Sequence, residues 1–326
     1  MKPAFSVIFL TTLIGAGQGL FLALFTAESY AAFGLLPPQT ASFYAAGTAI
    51  SLLFLAGGLV ASFFHLGRPE RAWRAASQWR TSWLSREVIV LPAFMGVAFL
   101  YGMAHWLGAN PVLTRLPSGA PVNVTAVLGT AGTVLAFALF ICTGMIYASL
   151  RFLREWHTPL TVVNYILLGG ASGFTFAALF AVTEAPGLVS FFAGWAVAIT
   201  ALGLVTRSAS LIRNSRLKPK STLQSAIGIK HPRIVQKTQG AMGGSFNTRE
   251  FFHGRPRTVL RLVKWFFLAF AFVLPMILLG MATVAEVLAP GLIAAFILQG
   301  LGLIAERWFF FAQASHPQNL YYQSAA

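Results

Sequence analysis

Eight uncharged apolar runs punctuate the chain, each about as long as the roughly 18 or more residues that a helix needs to cross a hydrocarbon core of about 30 Å. They are Ala4 to Phe25, Ser42 to Phe64, Val88 to Leu107, Ala126 to Ala148, Leu160 to Val182, Gly187 to Thr206, Trp265 to Ala285 and Val287 to Ala305. None contains Lys, Arg or Glu. In lipid the backbone amides of such a run must be satisfied within the segment, so the pattern predicts helices. The first run is too long for the apolar stretch of a secretory signal and no convincing small-x-small cleavage site follows it, so it is read as a membrane helix. The expected fold is an all-α polytopic membrane protein with eight transmembrane helices.

Between the runs the polar positions divide the chain into three parts. Residues 1-206 form a six-helix membrane portion, 207-264 a basic loop, and 265-326 a two-helix membrane portion with a C-terminal tail. An even number of crossings puts both termini on one side. The face with the termini and loops 2-3, 4-5 and 6-7 then carries 22 Lys and Arg, and the other face only Arg115. The positive-inside rule makes the first face cytoplasmic, and both termini with it.

Composition agrees with lipid as the main solvent. Of 326 residues 57% are hydrophobic and 10% charged, where a soluble domain carries about 25% charged residues. A soluble two-domain enzyme is excluded. The net charge of +15 is an orientation signal concentrated on the inner face, where it meets anionic lipid, and it does not indicate nucleic acid. All eight acids are Glu, which removes Asp-based metal loops and Ser-His-Asp triads. The single cysteine, Cys142, cannot make an internal disulfide, a four-Cys zinc site or an iron-sulfur cluster, and no Cys-x-x-Cys-His is present for covalent haem. Haem b between helices would need two His at matching depth, but His65 and His105 lie at opposite ends of their spans. We expect no haem and no iron-sulfur cluster in this chain. With His105 the only ionisable group in the runs, a proton pump is disfavoured. Gly15-x-x-x-Gly19 and the pairs Gly57-Gly58 and Gly169-Gly170 are read as close helix contacts, and Pro275 as a potential helix break. The loop half from Gly240 to Arg255 has aromatic residues and glycines beyond what a linker needs; lipid contact and partner docking both remain open for it.

The connection from His65 to Glu87 holds the most chemistry. Arg68, Arg71 and Arg74 recur every three residues beside Trp73, Trp79 and Trp83, the pattern of a short interfacial helix with tryptophans at headgroup level. His65 leaves one helix and Glu87 enters the next, so both are expected near the same membrane boundary. A quinone is a lipid-soluble ring whose two-electron reduction takes up two protons. A His can hydrogen-bond its carbonyl and a Glu can relay protons from water. A positive-inside anchor explains the Arg and Trp residues equally well.

At this motif the sequence resembles the DMSO reductase membrane anchor subunit family (DmsC-type). The matching elements are His65-Leu-Gly67-x-Pro-x-Arg71-Ala, Ser85-x-Glu87, Tyr147 with Trp156-x-Thr-Pro159, and Glu306-Arg307. The resemblance implies a haem-free anchor that exchanges electrons with the quinone pool, ubiquinone or menaquinone, for an iron-sulfur subunit and a molybdopterin catalytic subunit. By position it places quinone binding at His65, Arg71, Ser85 and Glu87, with His65 on the headgroup and Glu87 as proton relay. Gly67, Arg68, Trp73, Arg74, Tyr147, Trp156 and Arg307 are secondary candidates for the pocket or the subunit interface. Because the charge map puts the His65 end in the cytoplasm, the sequence is most similar to the sulfite dehydrogenase anchors (SoeC-type) of the bacterial inner membrane, with partners on the cytoplasmic face. An anchor of a sulfoxide reductase oxidising menaquinol is the alternative, and a small-molecule transporter is the alternative from another class.

Overall fold

The computed structural model describes residues 1–117, 119–218, 221–235, 253–284, 289–317 and 319. Among them are α1 (Phe5–Ala32), α2 (Ala41–Phe63), α3 (Trp83–Trp106), α4 (Val124–Ala148), α5 (Pro159–Glu184), α6 (Val189–Ser215), the short α7 (Leu223–Ile227), α8 (Arg257–Leu268), α9 (Leu274–Val284) and α10 (Ala289–Ala312). A five-residue π turn, Ala269–Val273, joins α8 to α9, so that pair counts as one crossing and the described residues contain eight helices long and apolar enough to span a membrane. The Gly240 to Arg255 segment lies mostly outside the described residues.

The helices start and stop where local chemistry tells them to. Thr40, Ser82 and Thr158 each accept a hydrogen bond from a backbone N–H of the first turn of α2, α3 and α5, and Pro159 occupies the first turn of α5, where its missing N–H costs nothing. Pro275 does not break its span. It has no N–H to donate and its ring crowds the carbonyl one turn earlier, and the chain absorbs this by widening into the π turn just before it. Gly302 of α10 packs directly on that turn: a Cβ there would run into the backbone of Phe270 and Ala271.

α1 and α5 form the centre of the bundle, with 67% and 61% of their membrane stretch buried against 28–33% for the other six crossings. Their backbones touch through Gly15, Gly19, Gly169 and Gly173, which confirms the packing role read from the glycine spacing. Around them lie α2 and α4 beside α1, α6 and α10 beside α5, and α3 across α2 and α4. The outer surface is apolar, with Leu53, Val60, Val205 and Leu262 exposed where lipid tails would lie.

Two sequence expectations change. The helices run past the apolar stretches, so Glu28, Arg86, Glu87, Arg207, Arg213, Glu306 and Arg307 are all helical. The basic loop correspondingly shrinks, since α6 continues to Ser215 and α8 starts at Arg257. Helix extension is possible because these charged groups find partners: Arg213 donates to the carbonyls of Arg154 (3.0 Å) and His157 (3.2 Å), and Arg207 pairs with Glu306. The interfacial helix expected after His65 is present as a 3₁₀ segment, Pro69–Gln78. On the opposite face β1 (Val112–Arg115) and β2 (Pro121–Asn123) form an antiparallel hairpin.

Candidate functional site

Glu87 sits on α3 four residues in from Trp83, and so about 6 Å along the axis from the helix start. It lies deeper than His65, which follows the end of α2 and is exposed. The Thr143 hydroxyl of α4 donates to Glu87 Oε1 at 2.5 Å. Glu87 and Thr143 line a cavity completed by Thr11, Thr12, Gly15 and Gln18 of α1, Tyr165, Gly169 and Ser172 of α5, and Leu303 and Arg307 of α10. The space open to the centre of a water molecule is about 20 Å³, enough for one or two waters and too little for a ring. Gln18 is oriented by donating to the Ala136 carbonyl at 2.8 Å, and Ser172, also in the cavity wall, donates to the Gly169 carbonyl.

Arg307 links this cavity to a buried charge network. Its guanidinium lies 3.8 Å from the centroid of the Tyr165 ring and 3.3 Å from Glu306 Oε2, while Glu306 Oε1 is 2.7 Å from Arg207 Nε. All three charged side chains are at most 6% exposed. Inside a membrane bundle such charges persist only when paired, and Glu87 with Glu306 balances Arg207 with Arg307. Beside them Asn164 bridges α5 to α6, donating to Ser210 at 3.0 Å and accepting from Thr206 at 2.7 Å.

The candidate residues therefore separate. Glu87 and Arg307 share a cavity. Ser85 is buried in the first turn of α3, with its N–H capped by Ser82. His65, Gly67, Arg68, Arg71, Trp73 and Arg74 lie along the loop outside that cavity. Arg71 makes a 3.8 Å contact with Glu70, both well exposed, which contributes little. Partial burial holds the His65 imidazole below its ordinary value. Tyr147 and Trp156 are not cavity wall: Trp156 stacks on Phe310 at 5.2 Å and donates its indole N–H to the Phe310 carbonyl at 2.9 Å, and Tyr147 stacks on Tyr165 at 5.8 Å. They hold the last turns of α4 and α10 together behind Tyr165 and Arg307.

Thr143, Gln18, Tyr165, Arg207 and Glu306 were not read as site residues from the sequence. Gln18, a lone amide in an uncharged run, and Arg207, the first charge after the sixth run, were the available signals. Thr143 and Tyr165 gave none, because hydroxyls are common in membrane helices.

The chain matches the DMSO reductase anchor subunit (DmsC) family over residues 1–312. It is 56% identical over 327 residues to the membrane-anchor relative in Allochromatium vinosum that bears the name of the C subunit of sulfite dehydrogenase, covering 100% of both chains.

Proposed function

Because the chain belongs to the DMSO reductase anchor subunit family, we propose that it is the quinone-reactive anchor of a molybdopterin and iron-sulfur oxidoreductase, holding its partners on the cytoplasmic face of the bacterial inner membrane. The full-length similarity to a sulfite dehydrogenase component favours sulfite as the substrate of the complex. The observation that carries the reading is Glu87: a carboxylate held by Thr143 beside a water-sized polar cavity, at the membrane end that also presents the His65 loop and the basic helix starts.

Quinone is a substrate here. Reduction to quinol consumes two electrons and two protons, and the electrons would come from the iron-sulfur partner docked over the loop. The chain's residues supply the proton side. The ring rests at the cavity mouth, with one oxygen toward the His65 imidazole and the other toward Glu87. Glu87 passes a proton to the reduced oxygen and is recharged through cavity water along Thr143 and Gln18. Arg307, fixed against Tyr165 and Glu306, balances the carboxylate without moving. Arg68, Arg71 and Arg74 give the loop a positive surface for anionic lipid or an acidic partner face.

The test uses the purified complex with quinone as acceptor. Sulfite-dependent quinone reduction is expected, falling by roughly 10² or more in Glu87→Gln while reduction of a soluble dye is unchanged, as for loss of a positioned proton-transfer group. Quinol-dependent sulfoxide reduction without sulfite oxidation would reverse the direction of electron flow. Unchanged quinone turnover in Glu87→Gln would remove Glu87 from the site.

A further inference from the structure

At the end of the bundle opposite the His65 loop, α1 carries a second buried carboxylate, Glu28. The Tyr101 hydroxyl of α3 donates to its Oε2 at 2.6 Å, and the Thr125 hydroxyl of α4 donates to its Oε1 at 2.6 Å. His105 of α3, 7% exposed, brings Nε2 to 3.4 Å from the same Oε1, without the alignment of a hydrogen bond. The His105 ring stacks on Tyr44 of α2 at 4.7 Å and meets Tyr101 edge-on at 4.7 Å. Four helices thus converge on one acid-base pair, which the apolar runs concealed because α1 continues seven residues beyond Phe25.

Glu28, His105 and Tyr44 form the polar wall of a cavity of about 850 Å³, closed by the α1–α2 turn and by β2 of the hairpin. Ligand pockets fall at about 300–1,000 Å³, largely apolar with a few convergent polar groups, and this cavity fits that description whereas the Glu87 cavity holds only water. Phe33, Leu116 and Val127, all exposed, belong to its wall, so it opens where lipid would lie. Among the described residues no Lys or Arg lines it, and the carboxylate disfavours a phosphate headgroup. The flat imidazole–phenol stack, with a ring nitrogen not aligned to any acceptor, suits a neutral planar ring bearing a carbonyl or hydroxyl.

We propose that this far-face cavity is a second quinone or quinol site, in which a ring oxygen engages His105 and Glu28. The proposal rests on the quinone reading above for the chemistry of the ligand. The site holds the ring and does not turn it over. Glu28 lies about 15 Å along α1 from Gln18, and fully buried Leu20, Phe21, Leu24, Phe94 and Leu139 fill the core between them. It would let the bundle take up quinone from the far leaflet independently of the catalytic partners.

The test is photolabelling of the complex in liposomes with an azido-quinone, followed by peptide mapping. Two labelled regions are expected, one around residues 65–87 and one around 105–131. His105→Ala should lower the second by roughly tenfold, as for loss of one hydrogen bond worth about 1.4 kcal/mol, and leave the first labelled. Ala131→Trp fills the same cavity without touching the Glu28 cluster and should act alike, so a folding defect in one variant does not decide the matter. Label confined to 65–87, or far-face label unchanged in both variants, overturns the proposal while leaving the quinone reading intact. Far-face label from a phospholipid probe that quinone does not displace overturns it too. No label in either region, with no quinone turnover, would sink both.

Discussion

Replacing glycines one at a time along α1 and α2 should change the sign of the stability effect according to what a new Cβ meets. At Gly57 the added atom would rest 3.6 Å from a Leu13 methyl, an ordinary contact. At Gly15 it would lie 3.3 Å from Gly169 Cα, which a shift of a few tenths of an ångström relieves. At Gly19 it would overlap the Gly169 carbonyl oxygen and sit 3.0 Å from Gly173 Cα, all backbone that no rotamer change can move. Relief there means parting α1 from α5 by about 1 Å, a gap that forfeits a quarter to a half of each dispersion contact along the seam. Overpacking of this kind costs about 1–3 kcal/mol and belongs at the upper end here, because the two most buried helices are involved. Against it stands the helix-propensity gain of Gly→Ala, about 1 kcal/mol. Gly57→Ala should therefore stabilise by up to about 1 kcal/mol, Gly15→Ala should be close to neutral, and Gly19→Ala should destabilise by about 2 kcal/mol, roughly 30-fold in the folded ratio. Titration of the purified complex from mild detergent into denaturing mixed micelles measures all three. If Gly19→Ala proved as stable as Gly57→Ala, the α1–α5 backbone contact would not be holding the bundle.

Three further outcomes follow from the buried groups. Arg207→Ala leaves Glu306, 1% exposed, without its 2.7 Å partner and should cost about 3–5 kcal/mol, whereas Arg207→Met combined with Glu306→Leu should come close to wild type; equal loss in single and double variants would contradict the pairing. Trp156→Ala should lower stability by about 3–5 kcal/mol through lost packing on Phe310 yet leave the KM for quinone unchanged in whatever complex survives, so a raised KM would return Trp156 to the quinone site. His65 is held below its ordinary value by partial burial, so the folded ring is neutral at pH 7 and gains its proton only on the acid side of about 6.5. Since the protonated ring donates more strongly to a quinone oxygen, kcat/KM for quinone should rise as pH falls through that range and should lose this limb in His65→Ala; an identical profile in the variant would exclude His65 from the headgroup. In folding the sign is opposite, because the unfolded ring binds its proton first and any stability from neutral His65 is lost as pH falls.

The eight crossings were legible because hydropathy over about 20 residues is a local property, and the charge map that orients them needs only loop counts. Gly15-x-x-x-Gly19 announced a close contact but could not say with what. The loop from His65 to Glu87 also announced itself, and the depth difference between its two ends did not, because a helix start at Trp83 is set by the Ser82 cap and the apolar run begins five residues later. Extension of helices past their apolar runs was the recurrent miss. A charged residue looks like the end of a span until its partner is known, and the hydrogen-bond and ion-pair partners of Glu28 and Arg207 lie 73 or more positions away in sequence.

By itself, then, the order of residues determined an eight-crossing membrane protein, the glycine-lined faces, a one-sided basic surface and a chemically dense loop, all of which depend on nearest neighbours along the chain and on the solvent each run prefers. Only the tertiary structure decided that Glu87 meets Thr143 and Arg307 around a water-sized cavity while His65 stays outside it, and that Glu28 and His105 face a larger cavity at the other end. The physical reason is that a buried ionisable group is tolerated only by partners in space. Those partners come from different helices, brought together by the α1–α5 contact and invisible to any window along the chain.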